Sequence, residues 1–169
     1  MSSPARQPVA RLFDGPRVAI RYRRNLRDTA GNPAHAATFI RQRLIVLDTA
    51  LKTRAREHRR VLLHEYFHFV WVRLSNRRRR AWEDHVAAEW KSGGRGEAGW
   101  SAEWRKDNLS DDDVRQRSRR WRDYCCESFC DTAAWVAGNI DSEVTLSQTR
   151  HRARRSWFDA NFGDCRFPI

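Results

Sequence analysis

The chain reads as an α+β domain: a small β-sheet packed on two helices, one carrying His64-Glu65-Tyr66-Phe67-His68 and a later one carrying Glu127. Three observations predict this class. Apolar runs of strand character precede residue 50, and apolar stripes of helical period follow from about residue 53. A length of 169 residues fits one domain with a modest core.

The elements follow in order. Met1 to Ala10 is polar and proline-bearing, a short disordered lead that leaves 11–169 as a single domain. Arg17 to Arg23 places Val18, Ile20 and Tyr22 at alternate positions, which predicts a strand. Asn25 to Pro33 carries Asp, Gly, Asn and Pro and is a turn region. Residues 37–48 hold one long or two short strands, with Leu44 to Leu47 central and buried. The helix of the His-Glu run starts near Thr53. Residues 81–91 form a short helix with Trp82 and Trp90. The glycine-rich stretch Ser92 to Gly99 is expected to be the most flexible part of the chain. Trp100 and Trp104 then lie one helical turn apart.

The glutamate helix is expected from about 111 to 137. Ser110-Asp111-Asp112-Asp113 has the form of a capping box, with acids where the helix dipole favours them, and Gly138 closes the other end. Residues 146–161 form a last helix, basic on one side and docked by Trp157 and Phe158. The segment 76–109 is a Trp-rich, charged insertion. It is either a lid over a site or a helical excursion packed on the scaffold, and aromatics at helical spacing favour packing.

His64-Glu65-Tyr66-Phe67-His68 spells H-E-x-x-H. Chance produces that pattern in about one chain in a hundred of this composition, so context must carry it. Val61 to Trp71 is apolar almost all the way round, which marks a buried helix. Histidine and glutamate buried there need partners, because lone buried charge is costly. Positions i and i+4 share a helix face, so two imidazoles can hold one metal ion. Glu65, about 100° round the helix, can act as base on a metal-activated water.

A catalytic zinc takes three protein ligands. Glu127 is the leading third ligand, with Asp131 one turn later on the same face. A carboxylate there suits the outer N–H of a ligand histidine. Glu83, Asp84, His85, Glu89 and Glu103 are alternatives. The short H-E-x-x-H-x-x-G-x-x-H spacing is absent, which argues against a metzincin.

H-E-x-x-H on one helix and E-x-x-x-D on a later one resembles the gluzincins, the thermolysin-like metallopeptidases. The strand Arg43 to Asp48, the helix Val61 to Trp71 and the run Glu127 to Ala134 are closer in texture to the small ImmA/IrrE-type metallopeptidases. The resemblance covers roughly residues 38–75 and 120–137. Residues 69–126 separate the second histidine from the glutamate, a longer interval than those relatives have. The resemblance implies a minimal zincin fold and one Zn²⁺ per chain on His64, His68 and Glu127. It also implies Glu65 as general base, Asp131 as the partner of His64, and hydrolysis of a peptide that binds as an added strand. Tyr124, His85 and His151 are candidate donors to the oxyanion or substrate.

Composition limits the remaining readings. No run approaches a transmembrane length, and the first residues lack a secretory h-region, so a cytoplasmic protein with reduced thiols is expected. Cys125, Cys126, Cys130 and Cys165 then read chiefly as small buried hydrophobes. The net charge is +12, with arginines at 77–80, 115–122 and 150–155. Such a field attracts polyanions, nucleic acid or acidic protein, and the alternative function is a basic regulatory module with a vestigial or structural zincin core. A hydrolase of another amide is a third reading.

Overall fold

The computed structural model describes residues 8–138, 145–163 and 166–169. The protein is α+β. Five strands, β1 (Phe13–Asp14), β2 (Ala19–Arg23), β3 (Ala36–Phe39), β4 (Leu44–Asp48) and β5 (Phe167–Pro168), accompany six helices among the described residues. The helices are α1 (Ala55–Arg73), α2 (Asn76–Lys91), α3 (Trp100–Asp107), α4 (Asp111–Gln116), α5 (Arg119–Gly138) and α6 (Gln148–Phe162). No described helix is long and apolar enough to cross a membrane.

The main sheet has the order β2-β4-β3, parallel between β2 and β4 and antiparallel between β3 and β4. The predicted region 37–48 is therefore two short strands, and β4 is central as expected. Only alternate β4 residues, Ile45 and Leu47, are fully buried, because one face of the sheet packs on the core and the other is partly open. The Asp48 N–H donates to the His35 carbonyl at 2.8 Å. Two-residue alternation then turns Ala37 and Phe39 toward β4, and the backbone groups of Ala36 and Thr38 toward the outer edge.

Asp48 links the sheet to α1. Its carboxylate accepts N–H bonds from Leu26 (2.7 Å) and Ala50 (2.8 Å) and caps a 3-10 turn over Thr49–Thr53. α1 then runs between the sheet and α5, buried from Val61 to Phe67. Short β1 and β5 pair in parallel and tie Phe13 and Phe167 to Phe67 on α1. The pairing is nonlocal, and two-residue strands leave no periodicity to read. Val9 and Ala10, within the expected disordered lead, belong to a 3-10 turn, and Met1 to Gln7 lie outside the described residues.

Two expectations need correction. The continuous helix over 111–137 is broken. The capping box at Ser110 and Asp113 exists, but it starts the six-residue α4. Arg117 then adopts a left-handed conformation (φ 50°), and Ser118 restarts the chain by accepting the Trp121 N–H. Ser118 also donates to Asp113 at 2.6 Å, and the Arg117 guanidinium reaches Glu83 (2.6 Å) and Asp84 (2.5 Å) on α2. Helix propensity alone does not register these contacts.

The second correction concerns Ser92 to Gly99, which is packed rather than loose. Glu97 and Ala98 are buried, and Glu97 lies in a charged network in the core. Arg154 of α6 donates to Glu97 (2.6 Å) and Glu89 (2.6 Å), Lys106 donates to Glu97 (3.0 Å), and so does the Tyr124 hydroxyl (2.6 Å). The insertion 76–109 supplies Glu89, Glu97, Lys106 and Trp82 to the core, while Trp100 and Trp104 are exposed (74% and 55%), so the packing reading holds for part of the segment and not for those two aromatics. α2 also runs longer than the expected 81–91.

Candidate metal centre

α1 and α5 bring the predicted residues together. On α1, the His64 and His68 rings lie one turn apart with centroids 4.9 Å from each other and planes at 78°. Donor atoms of His64, Glu65 and His68 all fall within 4.8 Å of one another. Glu65 leans toward the sheet, where Thr38 on β3 donates its hydroxyl to the carboxylate at 2.6 Å. That contact places Glu65 beside the outer edge of β3, which no strand pairs among the described residues.

Glu127 reaches the same space from α5. Its carboxylate lies 3.2 Å from Nε2 of His64 and 4.0 Å from Nε2 of His68. Asp131, one turn on, lies 2.8 Å from Nδ1 of His64. An ionised carboxylate only accepts, so Nδ1 carries a proton toward Asp131 and Nε2 carries one toward Glu127; a cation held by Nε2 would take the place of that second proton and leave the Nδ1 proton on Asp131. Asp131 is held in turn by the Ala102 N–H at 3.1 Å. Gly99 lies flat against it, and a Cβ there would overlap the carboxylate. Gly99 is extended (φ −168°), so close approach and not backbone strain is what requires glycine.

His68 has a different partner on its outer nitrogen. Sγ of Cys126 and Sγ of Cys130 each lie 3.6 Å from its Nδ1. Cys125 and Cys130 are buried, in keeping with the small-hydrophobe reading, but Cys126 is half-buried and both sulfurs of the i, i+4 pair turn to His68. Cys165 lies outside the described residues.

The electrostatics favour positive charge at this place. Glu65, Glu127 and Asp131 are acidic, and Arg105 supplies one formal cation 3.5 Å from Glu127. Burial works to lower the His64 pKa, yet the Asp131 and Glu127 carboxylates overcome it and hold it well above the usual imidazole range. Burial likewise opposes the charge on His68, but Cys126 and Glu127 raise its pKa to about 9. Burial pushes the Glu127 carboxyl up, and His64, His68 and Arg105 outweigh it to keep the acid ionised. The Cys130 hydrogen bond and His68 lower the Cys126 thiol to about 6 against its burial. Two imidazoles with the Glu65 and Glu127 carboxylates in a largely buried pocket offer donors suited to a divalent cation, with Asp131 on the far side of His64. For metal–nitrogen and metal–oxygen bonds of about 2.0–2.2 Å at a tetrahedral angle, nitrogen and oxygen stand about 3.3 Å apart. The 3.2 Å from His64 to Oε2 of Glu127 is close to that, whereas the nearest approach to His68, 4.0 Å, is by the other oxygen, Oε1, so sharing one ion requires the Glu127 carboxylate and His68 to move toward each other.

The other candidates have partners elsewhere. The Tyr124 hydroxyl is committed to buried Glu97, which corrects its assignment as an available donor. His85 stacks on Trp82 and lies 3.4 Å from Glu89, and the His151 ring lies 4.2 Å from Trp135 at a tilt of 35°. Of the alternative ligands, Glu83 and Asp84 pair with Arg117, Glu89 with Arg154, and Glu103 with Thr145. The arginine clusters are also divided. Arg154 is fully buried, Arg115 and Arg119 pair within their own helices, and Arg80 pairs with Glu83.

Sequence reasoning missed three neighbours. Thr38 holds Glu65, and Ser101 and Arg105 hold Glu127 at 2.5 Å and 3.5 Å. Ser101 and Arg105 lie one turn apart on α3, the only local signal that they could act together. Scanned against protein-family models, curated proteins and solved structures, the chain matches none.

Proposed function

We propose that this chain is a zinc-dependent metallopeptidase of gluzincin type, with a minimal zincin fold. The observation that carries the reading is the convergence of His64, His68 and Glu127, with Glu65 alongside and Asp131 on the outer nitrogen of His64. Residue identity, helix spacing and the outer hydrogen bond all agree with that chemistry.

His64, His68 and Glu127 would hold the ion. When bound, zinc supplies Lewis acidity, which polarises a carbonyl and makes water a better acid. Glu65 takes the proton of the attacking water and returns one to the leaving nitrogen. Thr38 keeps the Glu65 carboxylate turned to that task. Asp131 fixes the His64 tautomer, and Ser101 and Arg105 restrict the Glu127 carboxylate to one orientation. The outward backbone groups of Ala36 and Thr38 offer a peptide a strand to pair with, next to the base.

The test uses the full chain. Glu65→Gln should retain about one zinc per chain and lose cleavage of a peptide library, because it removes the base and keeps the ligands. Glu127→Ala should lose zinc. Stoichiometric zinc unchanged in Glu127→Ala rejects the ligand assignment. Zinc without peptide cleavage in the wild type favours a different amide substrate or the regulatory reading.

A further inference from the structure

His68 presents its two nitrogens to two different donor sets. Nε2 faces the Glu127 side, while Nδ1 faces two sulfurs at equal distance, Cys126 and Cys130, 3.6 Å from each. Without an ion, Nδ1 bonds to one sulfur and the Cys130 thiol bonds to Cys126; the same three atoms are also spaced to share one ion. The three donor atoms all lie within 4.8 Å of one another. A tetrahedral ion with metal–sulfur bonds of about 2.3 Å and a metal–nitrogen bond of about 2.0–2.1 Å sets nitrogen and sulfur about 3.6 Å apart. Both observed separations equal that value.

The helix geometry separates this from a disulfide. Cβ atoms at i, i+4 stand roughly 5–6 Å apart. A disulfide requires about 3.5–4.5 Å, whereas two thiolates on one ion reach across the longer gap. Cys126 is half-buried and the His68 side chain is 19% exposed, so an ion has access.

We infer that Cys126, Cys130 and Nδ1 of His68 form a second metal position, selective for thiophilic cations. Two thiolates and one imidazole suit soft ions better than two imidazoles and a carboxylate do. The two positions share His68. A neutral imidazole has one lone pair, so His68 serves Nε2 or Nδ1 and not both. A thiophilic cation on the sulfur side therefore withdraws His68 from the other centre. That last consequence rests on the proposed zinc reading; the binding itself does not.

The probe is Cd²⁺ titrated into the reduced full chain, followed by ultraviolet thiolate-to-metal charge transfer. Absorbance should saturate at one thiolate-bound ion per chain in the wild type. It should be lost in Cys126→Ser and in Cys130→Ser and retained in Glu127→Gln. Bound Cd²⁺ should also shield Cys126 from alkylation in the unsubstituted protein, which needs no variant to fold. No charge transfer in the wild type, or its persistence in both serine variants, overturns the site. Zinc and Cd²⁺ bound together, one of each with the charge-transfer band intact, overturns the exclusivity. Loss of zinc dependence on Glu127 with the Cd²⁺ results intact would sink the peptidase reading alone.

Discussion

The Asp131 carboxylate lies 2.8 Å from Nδ1 of His64, joining residues 67 positions apart in the chain. One carboxylate oxygen takes His64 and the other takes the Ala102 N–H, so α3, α5 and α1 meet at one side chain. Histidine orientation at the candidate centre therefore depends on an element from the 76–109 insertion.

Asp131→Ala should reduce zinc affinity about 10–100-fold, the usual effect of removing the partner of a ligand histidine. Competition with a chelating dye measures it. An unchanged dissociation constant means His64 needs no orientation from Asp131.

Gly99→Ala should damage the same centre from outside it. The added methyl overlaps the Asp131 carboxylate, so either the α3 start or Asp131 moves. Overpacking of this kind costs about 1–3 kcal/mol of stability. In an Asp131→Ala background the methyl has room, and the cost should shrink. Denaturant unfolding of the four proteins gives the coupling, and simple additivity contradicts the steric account.

Thr38→Val keeps the shape of the side chain and removes the hydroxyl that bonds Glu65 at 2.6 Å. Hydrogen bonds to charged groups contribute about 1.5–3 kcal/mol, so on the proposed peptidase reading kcat should fall about 10-fold or more with zinc content unchanged. Equal kcat in the two proteins would remove Thr38 from the mechanism.

The buried network predicts a pH response. Burial raises the Glu97 pKa, but Arg154, Lys106 and Tyr124 hold it at about 2 against an ordinary 4.5. A depressed carboxyl stabilises the fold above its unfolded value, so this contribution is complete above pH 4.5 and is lost as pH falls toward 2. The Tm should decline across that window, and Glu97→Gln should decline less.

Arg154→Met removes the guanidinium that Glu89 and Glu97 share in the core, leaving Glu97 with Lys106 and Tyr124 and Glu89 with His85. Removing one member of a buried ion pair destabilises by about 3–5 kcal/mol. Thermal unfolding at neutral pH checks this, and a shift of a degree or less would contradict it.

Much of the site was legible in local pattern. The H-E-x-x-H spacing, the apolar surround of Val61 to Trp71 and the E-x-x-x-D pair each depend on one helix at a time, and a period of 3.6 residues can be read from neighbours in sequence. The break at Arg117 was not legible, because a capping signal says where a helix starts and not how far it runs. Ser92 to Gly99 failed for a related reason. Glycine signals freedom in an isolated chain, yet here Gly99 gives room for Asp131 and Glu97 finds Arg154.

By itself the sequence determined the coarse α+β class, the faces of α1 and α5, and which side chains have metal-binding chemistry. Tertiary structure decided which faces meet: Glu127 opposite both imidazoles, Thr38 under Glu65, and the two cysteines beyond His68. The reason is physical. Periodicity orients a side chain about its own helix, while the pairing of helices is set by burial and charge compensation among residues far apart in the chain.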